Sequence, residues 1–195
     1  MNEASDLKCS GVGRRALLAG AAALMPAGAA LAQQPPAPKN MRPQEGDLLV
    51  RVSGEGAGEP VKLDSLVINA PQILAWPKDK ASGTVRDGSR LNQVLLMRFD
   101  PATLDEETRE HAADGAVAYG ATCPHAQCPV TEYRKDLGVL HCPCHNSEFD
   151  PRAAGKVTGG PAPRRLTPLP IRLDAGEGVL IVAHPFLGKV GLSAT

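Results

Sequence analysis

Aromatic residues are scarce in this 195-residue chain, at 3%, while glycine and proline are plentiful, at 20 and 18. That balance disfavours long helices and favours short strands joined by many turns. An excess of either charge sign is also missing. Basic residues number 21 and acidic residues 21, and without a basic footprint nucleic acid is excluded as a partner. No Gly-x-Gly-x-x-Gly opens a helix, and neither a P-loop nor a Gly-x-Ser-x-Gly elbow is present. The common nucleotide cradles and the hydrolase nucleophile are thereby removed. No spacing singles out a Ser–His–Asp set, and no internal repeat is found. Long apolar runs are lacking except for one near the N-terminus. Cysteine is sparse too: of five, one is Cys9 and the other four fall in two short segments.

The N-terminal run reads as an export address. Arg14 and Arg15 stand just before the mildly apolar stretch that starts at Ala16, and Ala30-Leu31-Ala32 offers a small-x-small cleavage site. Paired arginines in that place point to the twin-arginine route, which carries proteins already folded. Residues 16–32 number 17 and are interrupted by Gly20, Pro26 and Gly28. A spanning helix needs about 20 strongly apolar residues. The expectation is therefore a signal over residues 1–32 that is removed to give a periplasmic product. The alternative is retention as an anchor at the periplasmic face of the membrane. Cleavage would take Cys9 away and leave 18 basic against 19 acidic residues.

Residues 33–45, rich in Pro and Gln, read as an extended linker, and 46–195 as one domain. Strands are expected at 46–52, 61–68, 73–76, 93–99, 116–121 and 139–141. A closing hairpin is expected from 169–173 and 178–183. Asp100-Pro101 looks like a helix start, leading into one short acidic helix over 104–113. Residues 78–92 read as a long surface loop. The pattern predicts an all-β fold, an antiparallel sandwich or barrel with one short helix.

Most of the information lies in Cys123-Pro-His125-Ala-Gln-Cys128 and Cys142-Pro-Cys144-His145. Each segment offers a thiol and an imidazole at ligand spacing, with a second cysteine to spare. Thiolates are soft donors that favour ferric iron. Neutral imidazoles donate less and make an iron easier to reduce. Two of each, split evenly, suit a 2Fe–2S cluster with one thiolate-bound and one imidazole-bound iron. Pro124 and Pro143 would stiffen the two loops by fixing φ. Structural zinc and a framework of disulfides alone are the alternatives. Zinc fingers, however, usually place their cysteines in one half of the motif and their histidines in the other.

The pattern Cys-x-His-x-x-Cys, then 13 residues, then Cys-Pro-Cys-His-x-Ser-x-Phe resembles the Rieske 2Fe–2S family. The resemblance covers roughly residues 45 to 185 and implies a small cluster-binding subdomain with its loops at 122–163. It implies Cys123, His125, Cys142 and His145 as cluster ligands, and a disulfide between Cys128 and Cys144. Gly159-Gly160-Pro161-Ala162-Pro163 matches the family's third, proline-rich loop, which places Gly160 and Pro161 over the cluster. Ser147 matches a serine whose hydroxyl bonds a bridging sulfide and raises the potential. Phe149 stands where the highest-potential members have Tyr. The disulfide implies an oxidising compartment, in agreement with the export signal. It looks more like the subunits of cytochrome bc-type complexes and arsenite oxidase than like ring-hydroxylating oxygenases. Two places depart from the family pattern. Ala126-Gln127 replace the Leu-Gly of quinol-oxidising members, and Asn146 replaces a glycine.

Irons fully ligated by protein and sulfide leave no open position for a substrate. The resemblance therefore implies a one-electron relay. The expected partners are a larger redox subunit of an exported oxidoreductase and a cytochrome c-like acceptor. A membrane cytochrome bc complex is the alternative, and a structural metal-binding module the third reading. His141 is expected to point away from the cluster, with His111 and His184 on the surface. Asp105-Glu106-Glu107 read as a solvated face, and Trp76 and Phe99 as core.

Overall fold

The computed structural model describes residues 37–192. The expected export signal, with Arg14 and Arg15, lies outside them. The described residues form ten short strands: β1 (Leu48–Arg51), β2 (Ile73–Lys78), β3 (Val94–Arg98), β4 (Ala116–Gly120), β5 (Glu132–Arg134), β6 (Val139–Cys142), β7 (Ser147–Asp150), β8 (Lys156–Gly159), β9 (Ile171–Leu173) and β10 (Leu180–Val182). Among the described residues there is a single α-helix, α1 (Glu106–His111). One sheet runs β4-β3-β2-β1-β10-β9 and the other β5-β6-β7-β8, with every strand pair antiparallel.

The larger sheet nearly closes on itself. Gly120 N donates to Thr167 O and Leu169 N to Ala118 O, both at 2.9 Å, and Tyr119 bridges Pro168. These contacts join the chain entering β9 to β4 at the opposite edge. An almost closed barrel leaves little unpaired edge for another chain to add to.

β3 is apolar throughout because both of its faces are buried. Val94 and Leu96 face one core with Leu49, Ala75 and Leu180. Leu95 and Met97 face a second core with Phe99, Tyr119, Leu140 and Phe149. β4 divides the same way, with Ala118 on one side and Val117 and Tyr119 on the other. The second core spans both sheets and includes Cys123 and Cys142. The site is thus seated on a buried core shared by the two sheets. Truncating Phe149 or Phe99, both fully buried, would cost roughly 3–5 kcal/mol.

The expected strand at 61–68 is not one. Val61 is drawn in, accepting from Leu180 N and donating to Leu49 O, each at 2.8 Å, between β1 and β10, and of the residues after it Leu66 is the one buried in the core. The chain then turns through a 3-10 helix at Leu63–Ser65, leaving Val67 and Ile68 exposed at 70% and 49%. The expected helix is also divided. Asp100 caps a 3-10 turn at Pro101–Thr103, accepting from Ala102 N. Leu104, extended and 3% exposed, is pulled into the core and ends that turn. Asp105 then caps α1, accepting from Thr108 N. The acidic run is therefore engaged, since Asp105 pairs with Lys156 at 3.2 Å and Glu107 with Arg165. Phe99 is core as expected, whereas Trp76 is only half-buried.

The loop after β2 is more than surface. Arg86, 3% exposed, donates to both carboxylate oxygens of Asp47 at 2.6 and 2.9 Å and reaches Pro38 O at 3.2 Å. Asn92 donates to Met41 O at 2.8 Å, and Arg42 to Leu91 O at 2.9 Å. Residues 38–47 are clamped against the domain by these bonds. Removing the Arg86 guanidinium would strand a buried carboxylate, a loss of about 3–5 kcal/mol.

Candidate metal centre

β4 delivers the chain to the first loop. Cys123 N donates to Cys128 O at 2.8 Å and Gln127 N to Cys123 O at 3.0 Å, closing the loop on itself. Gln127 adopts φ 58, the left-handed turn that brings the chain back. The second loop is the β6–β7 hairpin, with Cys142 opposite Ser147. Pro143, Cys144, His145 and Asn146 form its tip, and Asn146 sits at φ 59. Asn is the residue best suited to that region after Gly, so the replacement of glycine leaves the turn intact.

The third loop lies directly on the second. A Cβ on Gly160, at φ +76, would stand 2.3 Å from Asn146 O and 2.5 Å from Ser147 Cα. No other residue fits there. Pro161 follows, exposed. Arg164 then ties this loop to the C-terminal segment by donating to Lys189 O at 2.7 Å and to Gly191 O. Gly191 in turn packs beside Gln127 of the first loop.

Cys128 and Cys144 form a disulfide that staples the first loop to the second. Cys123 and Cys142 are free and buried, each 1% exposed, with their side chains adjacent. Burial pushes the Cys142 thiol up, and Cys123 beside it adds to the effect. The N–H groups of Cys144 and His145, which face its sulfur, work the other way. Two buried thiols in contact resist ionising together unless a cation compensates them. The three sulfurs lying within 4.8 Å of one another are those of Cys128, Cys142 and Cys144. Two of these are spent in the disulfide, so the free donors are Cys142 and its neighbour Cys123.

The His125 and His145 rings meet edge to face with centroids 4.6 Å apart. His145 is exposed and His125 half-buried. Four buried side-chain polar atoms have no partner among the described residues, Gln72 Oε1 and Arg98 Nε elsewhere and two at this site, His125 Nδ1 and Ser147 Oγ. Buried polar atoms are rarely left unpaired. Paired thiols, paired imidazoles and an orphaned hydroxyl are the donor set that a 2Fe–2S cluster takes up. A tetrahedral zinc would leave the Ser147 hydroxyl unexplained.

Residues 77–170 match the family model described as the Rieske [2Fe-2S] domain. A cytochrome bc1 complex Rieske iron-sulfur subunit from Streptomyces lividans is 33% identical over 150 residues, which covers 75% of this chain and 85% of that one. The chain belongs to the Rieske family. A protein from Haloferax mediterranei named as the Rieske subunit of a respiratory nitrate reductase is 39% identical over 107 residues, 54% of this chain. A cytochrome bc1 Rieske subunit from Corynebacterium glutamicum is 39% identical over 106 residues, 51% of this chain. The match spans 47% of the Haloferax protein and 26% of the Corynebacterium one. A Rieske domain carries a 2Fe–2S cluster, and the donors described above suit it.

The two loops and the disulfide are placed as the Rieske resemblance implied. Phe149 is fully buried on β7, opposite Leu140. His184 is exposed and His111 half-buried. His141 was expected merely to point away. It is 2% exposed and held between Glu132 and Asn146. Two signals could have revealed this: a histidine alternating with Cys142 on one strand, and an Asn at the one loop position where the family has Gly. The role of the segment ending at Gly191 had no local signal, because it depends on long-range contacts to Arg164 and Gln127.

Proposed function

We propose that Cys123 and Cys142 hold one iron and His125 and His145 the other, in a protein that relays electrons outside the cytosol. The observation that carries the assignment is a buried, free thiol pair on the same two loops as two imidazoles that meet edge to face, with the Ser147 hydroxyl buried and unpaired. The cluster, when bound, supplies reversible one-electron transfer. The chain's own residues set its surroundings. Leu140, Val130 and Phe149, each fully buried, keep water from the thiolate side. The Ser147 O–H is positioned to donate to a sulfide. The disulfide and Gly160 fix the three loops to one another.

Exposed His145 and half-buried His125 mark the edge where electrons enter and leave. Around them Ala126, Pro143, Asn146 and Pro161 are exposed and uncharged. A partner docking there reads shape more than charge. The favoured partners are a larger subunit of an exported oxidoreductase and a cytochrome c-like acceptor, supported by Ala126-Gln127 and Phe149. The cytochrome bc-type alternative is supported by the name and coverage of the Streptomyces relative. Periplasmic location and twin-arginine export rest on Arg14 and Arg15 and on the disulfide.

Purification of the tagged chain from native membranes and periplasm tests the partner and the address together. Co-elution with a soluble oxidoreductase and a mature N-terminus near Gln33 support the favoured reading. Co-elution with a haem b subunit and an uncleaved N-terminus support the cytochrome bc alternative.

A further inference from the structure

His141 stands one residue before Cys142 on β6 and is 2% exposed. Its Nδ1 lies 2.8 Å from Glu132 Oε2, and its Nε2 lies 3.1 Å from Asn146 Oδ1. Glu132 is its direct cross-strand neighbour on β5. Glu148, its neighbour on β7, is taken by Arg134 at 2.9 Å and does not compete for the ring. Nδ1–H therefore donates to the Glu132 carboxylate, which fixes the ring plane. Nε2 then meets the Asn146 amide. It donates to Oδ1 when the ring carries both protons, and accepts from the amide nitrogen when the amide is turned over. The side chain is held in either case.

Asn146 carries the chain out of the hairpin tip immediately after His145, at φ 59. Glycine would adopt that backbone at less cost. The side chain that Asn adds is the one His141 grips. On its other side, the Asn146 carbonyl lies against Gly160, where a Cβ would come within 2.3 Å. The residue after His145 is thus held between a buried ring and the third loop.

We propose that His141 is a positioning residue: braced by Glu132, it tethers Asn146 and so fixes the loop that presents His145. The proposal rests on the reading of His145 as a cluster ligand.

The test uses the loaded full-length protein and three variants: Asn146→Gly, His141→Phe and the double. Asn146→Gly is the informative one, because glycine tolerates the same φ and removes only the tether. Iron release to a ferrous chelator and the paramagnetic resonance line shape of the reduced protein are read for each. The expected result is about fivefold faster release in each single variant, equivalent to about 1 kcal/mol, the worth of one hydrogen bond. The double variant is expected to be no faster, and all three to show a broadened signal, because both changes break one contact. Additive effects overturn the proposal, as does wild-type release by Asn146→Gly. If His141→Phe does not fold, Glu132→Gln takes its place in the cycle. A wild type without a Rieske signal overturns the ligand reading and the tether with it. A normal wild type with unchanged variants overturns the tether alone.

Discussion

Ser147 faces Cys142 across the first rung of the β6–β7 hairpin, and its hydroxyl is buried with no partner among the described residues. A donor kept dry and unpaired next to a free thiol costs stability unless something accepts from it. Under the proposed assignment the acceptor is a sulfide of the cluster, whose charge becomes more negative on reduction. Ser147→Ala should therefore lower the midpoint potential. A hydrogen bond to a charged group is worth about 1.5–3 kcal/mol, which corresponds to roughly 60–130 mV for one electron. Protein-film voltammetry measures it, and an unchanged potential contradicts the role given to the hydroxyl.

Phe149 is the neighbouring lever. It is fully exposed to neither water nor solvent-filled space, at 0% exposure, and it cannot donate. Phe149→Tyr should raise the midpoint by supplying a second donor near the cluster. It should also lower the unfolding temperature slightly, since a hydroxyl is being added to a packed core. Voltammetry and thermal unfolding on the same sample check both directions. A potential that does not move would show that the ring edge faces away from the sulfides.

The Cys128–Cys144 bond closes a loop with a sequence separation of 16. Loops of that length contribute about 3 kcal/mol when cross-linked. The Cys128→Ser, Cys144→Ser double variant should unfold at lower denaturant concentration by that amount. It should also lose iron faster, because loops one and two are no longer stapled. Wild-type iron retention in the double variant would mean that Gly160 and the hydrogen bonds hold the loops unaided.

Asp105 supplies the pH dependence. Burial pushes its carboxyl up, but the Thr108 side chain and N–H together with Lys156 outweigh that and hold it below the usual carboxylate range. A carboxyl with a lowered folded pKa stabilises the fold fully above its ordinary value. The contribution is lost as pH falls through the folded pKa. Asp105→Asn keeps the cap but loses the charge, and should therefore cost about 0.3–1 kcal/mol near neutrality. The gap between variant and wild type should close as pH falls through that lowered folded pKa. Urea unfolding at a series of pH values measures it, and a constant gap contradicts the account.

Much of the site was legible because metal chemistry is written locally. Cys123 and His125 lie on one loop and Cys142 and His145 on the other, so the proposed donors stand out from sequence spacing and the resemblance together. β3 was legible for a similar reason, since residues buried on both faces leave an unbroken apolar run. β5, β7 and β8 were not. Glu132-Tyr-Arg134 and Lys156-Val-Thr-Gly159 are short, half-exposed and polar, and pair only because the hairpins around the site bring them together. Val61–Ile68 misled in the opposite direction. Its apolar residues read as a strand, yet only Val61 and Leu66 reach the core while Val67 and Ile68 face outward. The Glu132 contact to His141 depends on the β5–β6 register, which no local pattern encodes.

The most direct measurement is the electron spin echo envelope of the reduced protein labelled with nitrogen-15 in its histidines. The account predicts nitrogen couplings from two directly bound imidazoles, those of His125 and His145, with one lost on replacing either histidine by cysteine. A reduced cluster with no strongly coupled histidine nitrogen would contradict it.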